Sequence, residues 1–225
     1  MKIRVMQQGT SRSFPTPHPL LERGGDPCEG LLLLGSGAGE LLARLQQGES
    51  YPFIAIELDH ECLGVHSGEV DHPLLRRLVG FARFRQGRLP PSDLVELVRK
   101  PFTAAEACAA AKAAFEESGL KVAVCNDFPG RIVNRLIRPV YNAVLRRLDE
   151  GLASAGDLDK TLRLGLGYPE GIVDLLERAG LEAHYEDAAA LYAALGEIGY
   201  LPARRARVAY QRASDQHAGR RPVPE

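Results

Sequence analysis

Residues 125–136 read CNDFPGRIVNRL, and this stretch divides the chain. Before it stand short apolar runs separated by Gly- and Pro-rich turns, the pattern of strands. After it apolar residues recur at helical spacing. Within it, KVAVC (121–125) reads as a strand, Phe128-Pro129-Gly130 as a turn, and Ile132 opens a helix. Ile132, Val133, Leu136, Ile137, Val140, Val144, Leu145 and Leu148 hold one face of that helix for about five turns. Pro139 lies inside the pattern and predicts a kink. Asn134 falls on the face that carries Ile137 and Tyr141, where it reads first as a core-edge amide bonded to backbone and second as a site residue.

Towards the N-terminus, KVAVC follows an Ala-rich helix at 103–117, with Thr103 and Glu106 in a capping-box pattern and Gly119 as its stop. LVELV (94–98) and LVGFARF (78–84) are further strands. The run Leu31–Leu34, the turn Gly35-Ser36-Gly37-Ala38-Gly39, the helical LLARLQQ (41–47) and the run Phe53–Ile56 form one βαβ unit, whose strands are expected to be parallel. IRVM (3–6) adds a short strand, and residues 9–30 read as a loop or arm. Towards the C-terminus, Ser154 and Asp157 resemble a cap for a helix ending near Gly165, and further helices are expected at about 170–179, 182–195 and 202–213. The expected division is an α/β domain over 1–127 and an all-α domain over 128–225.

The whole chain has 225 residues, 45% apolar and 25% charged, which is the mix of a globular protein. Its net charge of −1 gives no basic field for nucleic acid. The N-terminus lacks the apolar core of a signal peptide, and no apolar run approaches the roughly 20 residues that span a bilayer. No two of the cysteines at 28, 62, 108 and 125 form a CxxC unit, so neither zinc nor redox chemistry is indicated, and the thiols read as reduced in a cytoplasmic protein. The arginines at 204, 205, 207, 212, 220 and 221 read as a solvated helix face or as contacts for phosphate.

The glycine turn at 35–39 admits two readings. GxGxxG between strand and helix, with an acid about 20 residues on, is a dinucleotide fingerprint. Gly35 and Gly37 supply its first glycines and Glu57 its acid. Glu40 occupies the third-glycine position, where a carboxylate would repel a pyrophosphate. The alternative is a plain tight turn.

The stretch DxPGxIVNRL, the long helix ending in EG-ASxxDLD, then LGLGYPEG and a helix with LLERAGL resemble the C-terminal domain of 3-hydroxyacyl-CoA dehydrogenases. LVELVR at 94–99, the helix after it and KVAVCND resemble the end of that family's Rossmann domain. The resemblance covers about 94–200. It implies a reduced Rossmann-like α/β domain followed by a 6-phosphogluconate-dehydrogenase-type helical domain, like the second half of long 3-hydroxybutyryl-CoA dehydrogenases. It also implies NAD-linked oxidation of a 3-hydroxyacyl-CoA in fatty-acid metabolism. In the family a histidine takes the hydroxyl proton, a glutamate orients it, and an asparagine lies by the imidazole and the substrate carbonyl. Glu96 matches the glutamate and Asn134 the asparagine.

The histidine has no match. Gly80-Phe81-Ala82-Arg83-Phe84 puts Ala82 in its place, and only His60, His66 and His72 stand near enough in sequence to substitute. Gly35 to Glu96 also leaves room for about two βαβ units, whereas a full dinucleotide domain needs two βαβαβ halves. NAD binding is therefore expected to be weak or absent. Glu96, deprived of its imidazole, is expected either to turn to water or to pair with a nearby cation, Arg83, Arg85 or Arg131. Three readings compete: a working or residual dehydrogenase, a non-catalytic module that binds acyl-CoA or supports dimerisation of a full-length dehydrogenase, and a different small-molecule enzyme on this scaffold. A homodimer through the helical domain is expected.

Overall fold

The computed structural model describes residues 1–25, 27–45 and 51–217. Arg220 and Arg221 of the arginine group, and Gln46 and Gln47 of the expected LLARLQQ helix, lie outside the described residues. The chain forms two compact units, 1–85 with 91–132 and 86–90 with 133–225.

The first unit is built on a six-stranded sheet whose order follows the chain. Its strands are β1 (Ile3–Gln7), β2 (Gly30–Leu34), β3 (Ile54–Glu57), β4 (Leu78–Arg83), β5 (Leu94–Arg99) and β6 (Lys121–Asn126). All neighbours pair in parallel except β4 and β5, which are antiparallel. β2 is buried along its whole length because both faces of the sheet are covered. Leu32 and Leu34 join Phe53, Val79, Phe81, Val95 and Leu97 on one face, against α3 (Ala105–Glu117). The alanines at 107, 111 and 114 let that helix approach closely, and Phe115 meets Phe81 with ring centroids 5.0 Å apart. Leu31, Leu33, Ile54, Ile56 and Val98 line the other face with Leu41 and Leu42 of α1 (Ala38–Ala43). The short α2 (Gly64–Ser67) follows β3.

Two local expectations need correction. α3 carries no side-chain cap. Its N-cap is Ala104, because the Thr103 hydroxyl accepts from the Lys100 amide at 3.0 Å and donates to the Leu78 carbonyl at 3.2 Å. The expected apolar face of the 131–150 helix is also rotated. In α4 (Val133–Asp149) the buried line is Asn134, Arg138, Tyr141, Asn142 and Leu145, while Leu136 is exposed. A polar network in the helical unit claims that line, as described below.

The second unit comprises α4, α5 (Ala155–Leu166), α6 (Ile172–Ala179), α7 (Leu181–Leu195) and α8 (Arg204–His217). Ser154 caps α5 by accepting from the Asp157 amide, and Gly167 ends it in a left-handed conformation. Tyr141, Leu145, Leu162, Ile172, Leu176, Ala203 and Ala206 form its core. The chain segment 86–90 is pinned here: the Arg88 amide donates to the Ala179 carbonyl at 2.9 Å, and Arg88 pairs with Glu182. A Cβ on Gly87 would lie 2.1 Å from the Ala179 oxygen, so only glycine fits this approach.

Candidate functional site

Register places Ala82 of β4 directly opposite Glu96 of β5. Glu96 is 1% exposed. Its Oε1 accepts from the Ile132 amide at 2.8 Å, and its Oε2 lies 3.5 Å from Nε of Arg131. Arg131 is itself buried and donates from Nη2 to the Asp59 carbonyl. Of the three arginines expected near Glu96, it is Arg131 that pairs. Arg83 instead donates to the carbonyls of Ser13 at 2.9 Å and Ser92 at 2.8 Å, under the Phe14 ring.

Arg131 has φ 55°, a left-handed conformation that a side chain with a Cβ adopts at a cost. Its Nε and Nη1 are buried without a hydrogen-bond acceptor. The turn that carries it is anchored on the segment after β3. The Gly130 amide donates to the His60 carbonyl at 2.9 Å, and the Asp127 carboxylate accepts from the amides of Leu63 at 2.7 Å and Gly64 at 2.8 Å. Burial, reinforced by the negative charge of Glu96, pushes the nearby Cys125 thiol up to about 11.

The glycine turn follows β2. Gly35 needs φ 88°, and a Cβ there would stand 2.4 Å from the Gln8 oxygen. The turn's amides are engaged internally: Gly35 donates to Glu57 Oε2 at 2.7 Å, Gly37 to the Gln8 carbonyl at 2.9 Å and Ala38 to the Gly35 carbonyl at 3.0 Å. Glu57 is buried, and its Oε1 accepts from the Ser11 hydroxyl at 2.9 Å and the Ser13 amide at 2.7 Å. Gly37 packs on Gln8, whose amide donates to Glu40 at 2.7 Å. At the carboxyl ends of β2 and β3 this turn borders a cavity of about 320 Å³, lined by Thr10, Arg12, Ser36, Asp59, Glu61 and His66 among others.

Asn134 belongs to the second unit and Glu96 to the first. Asn134 Oδ1 accepts from Arg138 Nε at 2.9 Å. Arg138 Nη1 donates to Gln86 Oε1 at 2.7 Å and to His184 Nδ1 at 3.1 Å, and Nη2 lies 2.6 Å from Asp187 Oδ2. Because arginine only donates, His184 must accept at Nδ1 and carry its proton on Nε2, which reaches Asn142 Oδ1 at 3.0 Å. Burial, with the Arg138 charge beside it, drives the His184 pKa down to about 3. Of the motif residues quoted from the sequence, Asp159 caps α6 by accepting from the amides of Val173 at 2.8 Å and Asp174 at 3.0 Å. A Cβ on Gly171 would lie 2.2 Å from the Asp159 carboxyl, which accounts for glycine there.

Glu61 did not stand out in the sequence, whereas Arg131 was one of three arginines expected to pair with Glu96 and His66 one of three histidines near enough to substitute. No group of three or more potential metal-ligating side chains occurs among the described residues. No helix among them is long and apolar enough to cross a membrane.

Residues 130–222 match the family described as 3-hydroxyacyl-CoA dehydrogenase, C-terminal domain. A probable 3-hydroxybutyryl-CoA dehydrogenase of Bacillus subtilis is 31% identical over 114 residues, 51% of this chain and 40% of that protein. The human mitochondrial hydroxyacyl-coenzyme A dehydrogenase is 35% identical over 94 residues, 42% of this chain and 30% of that protein. The match thus spans less than half the length of these relatives. Among solved structures, (S)-3-hydroxybutyryl-CoA dehydrogenase PaaH1 from Ralstonia eutropha has the same fold, with a TM-score of 0.68 at 22% identity, covering 84% of this chain and 66% of that one.

Proposed function

We propose that this chain, whose residues 130–222 carry the C-terminal domain of the 3-hydroxyacyl-CoA dehydrogenase family, keeps the family's framework while oxidising 3-hydroxyacyl-CoA weakly or not at all by itself. One observation carries the reading: Arg131 occupies Glu96, and Ala82 stands opposite it. The carboxylate that would orient an imidazole is neutralised by a guanidinium, which does not give up its proton at working pH. A general base contributes about 10²- to 10⁴-fold to rate. Acetoacetyl-CoA-dependent NADH oxidation by the pure chain should therefore fall about that far below the rate of the B. subtilis relative. A rate within about tenfold of that relative overturns the reading.

Weak NAD binding is part of it. A doubly wound sheet reverses its strand order where the ligand binds, whereas this sheet runs in chain order. The amides of Gly35, Gly37 and Ala38 and the carboxylate of Glu57 are committed to internal bonds, so these residues fit a packed turn better than a dinucleotide cradle. Calorimetry should give a dissociation constant for NADH above about 10 μM, roughly −7 kcal/mol. Tighter binding would restore the cofactor role of Gly35, Gly37 and Glu57.

The second reading, a non-catalytic acyl-CoA-binding or dimerisation module, draws support from the helical unit. It exposes Leu136, Leu152, Leu164 and Leu166, with Leu164 at 76%. An obligate dimer buries about 2,000 Å² or more. Sedimentation should give a dimer at micromolar concentration, and Leu164→Glu with Leu166→Glu should return the monomer; a wild-type monomer removes this support.

A further inference from the structure

The sheet of the first unit ends in two edge strands, β1 and β6. Along an edge strand every second residue turns its backbone amide and carbonyl away from the sheet. On β1 the outward Ile3 amide donates to the Arg23 carbonyl at 2.9 Å, and Arg4 stands exposed within the strand. A covering segment and a charge are two devices that keep another strand away.

β6 has neither along its middle. The Lys121 amide donates to the Asp93 carbonyl at 2.9 Å, which turns the backbone of Lys121, Ala123 and Cys125 towards β5 and that of Val122, Val124 and Asn126 outward. Among the described residues no hydrogen bond engages the amides or carbonyls of those outward three. Lys121 and Asn126 are exposed and Val124 is 43% exposed, so the edge is open to solvent. Between its ends the strand reads Val-Ala-Val-Cys, with no proline and no charge, and its register on β5 is unbroken by a bulge. An edge of that kind pairs readily with a further strand.

The strand is complementary to itself. A second β6 laid antiparallel about a two-fold axis at Val124 sets Val124 against Val124, Val122 against Asn126 and Ala123 against Cys125. The outward residues then form the hydrogen-bonded pairs, and every outward amide of one copy finds an outward carbonyl of the other. The small Ala123 and Cys125 fall at the closely spaced pairs. Lys121 comes opposite Asp127 of the copy, so opposite charges meet at each end.

We propose that the β6 edge is a docking surface for a second copy of this chain, joined antiparallel about Val124 so that the two sheets run into one. A six-residue ladder buries less than the about 1,200 Å² of a standard interface, so the contact is weak and fills near millimolar concentration. It uses a different surface from Leu164 and Leu166 and does not depend on the dehydrogenase reading.

The test places a thiol across the two-fold. In the pair of Ala123 with Cys125 the Cα atoms are about 4.5 Å apart, within the range that a disulfide bridges. Ala123→Cys in the full chain, oxidised with diamide at about 1 mM protein, should give a covalent dimer in which position 123 of one copy is bridged to Cys125 of the other. Adding Cys125→Ser should abolish that bridge. Val124→Pro removes an amide that points away from β5, where an edge strand tolerates proline, and on the Ala123→Cys background it should cut the dimer yield at least about tenfold. Should that variant fail to fold, Val124→Lys gives the same comparison. In the unaltered chain the amides of Val122, Val124 and Asn126 should slow together in hydrogen exchange, by at least about twofold, between about 10 μM and about 1 mM. A missing 123–125 bridge, a bridge that both Val124 variants leave undiminished, or exchange that does not change with concentration overturns the proposal. Protection that is equal at every concentration assigns the edge to a segment of the same chain and also overturns it. Leu164→Glu with Leu166→Glu should leave the bridge in place, so this contact and the helical one fail separately.

Discussion

Two buried arginines, one in each unit, meet their carboxylates in different ways. Arg138 of the helical unit hydrogen-bonds through Nε to Asn134 and through Nη1 to Gln86 and His184, while its Nη2 and Asp187 Oδ2 form an ion pair 2.6 Å apart without a hydrogen bond. Arg131 of the sheet unit sits 3.5 Å from Glu96, keeps a left-handed backbone and leaves Nε and Nη1 without a hydrogen-bond acceptor. A buried ion pair stabilises only when its remaining donors and acceptors are satisfied. Arg138 therefore reads as the centre of a framework. Arg131 reads as a cation fitted to a carboxylate whose surroundings were shaped for something else.

The sharpest way to break this contrast is to remove each cation in turn. Arg138→Met removes the cation beside the buried Asp187 and should cost about 4 kcal/mol, read as a fall in urea midpoint. A loss below about 1 kcal/mol would mean that the network is not a framework.

The next effect is a pH dependence confined to the helical unit. His184 is neutral in the fold, with its pKa lowered to about 3 against 6.5 in the unfolded chain. Above pH 6.5 neither state carries the proton. Below it the unfolded chain binds a proton that the fold refuses, so stability falls as pH drops from 6.5 towards 3, by about 1.4 kcal/mol per unit. Between pH 6.5 and 5 the expected loss is about 2 kcal/mol. His184→Gln should flatten that slope; an unchanged slope would assign the acid sensitivity elsewhere.

Arg131→Met should cost less, about 1 to 2 kcal/mol, because Glu96 keeps the Ile132 amide. Adding Glu96→Gln should recover most of it. An additive double variant would show that the two side chains are not coupled. Smallest is Ser154→Ala, which removes the α5 cap for about 1 kcal/mol.

The sequence makes the contrast only half visible, for physical reasons. Strands and helices follow from apolar runs, caps and glycines, and the strands expected at 78–84 and 94–98 lie in β4 and β5. Strand direction is not encoded in such runs, so the antiparallel β4–β5 pair and the chain-order sheet had to be seen. The motif set Ala82 and Glu96 at the positions of the family's histidine and glutamate, and the register places them opposite each other. Arg138 was not, since hydropathy ranks an arginine in a helix as solvent-facing, and its burial depends on acceptors 46 and 52 residues away in His184 and Gln86. Asn134 on the Tyr141 face was readable as a core-edge amide, and it is buried. Its partner is a side chain, not the backbone.

Gln86 has one more consequence, in the order of synthesis. The segment 86–90 belongs to the helical unit although it lies between two strands of the sheet. A ribosome adding about 5–20 residues per second releases Gln86 several seconds before His184 exists. Until then the acceptor waits and the helical unit lacks part of its wall. A gene fragment encoding only 133–225 would lack Gln86 and the Arg88–Ala179 bond altogether. Such a fragment should be insoluble or loosely folded, and supplying 86–90 by fusing it to the fragment's N-terminus should rescue it.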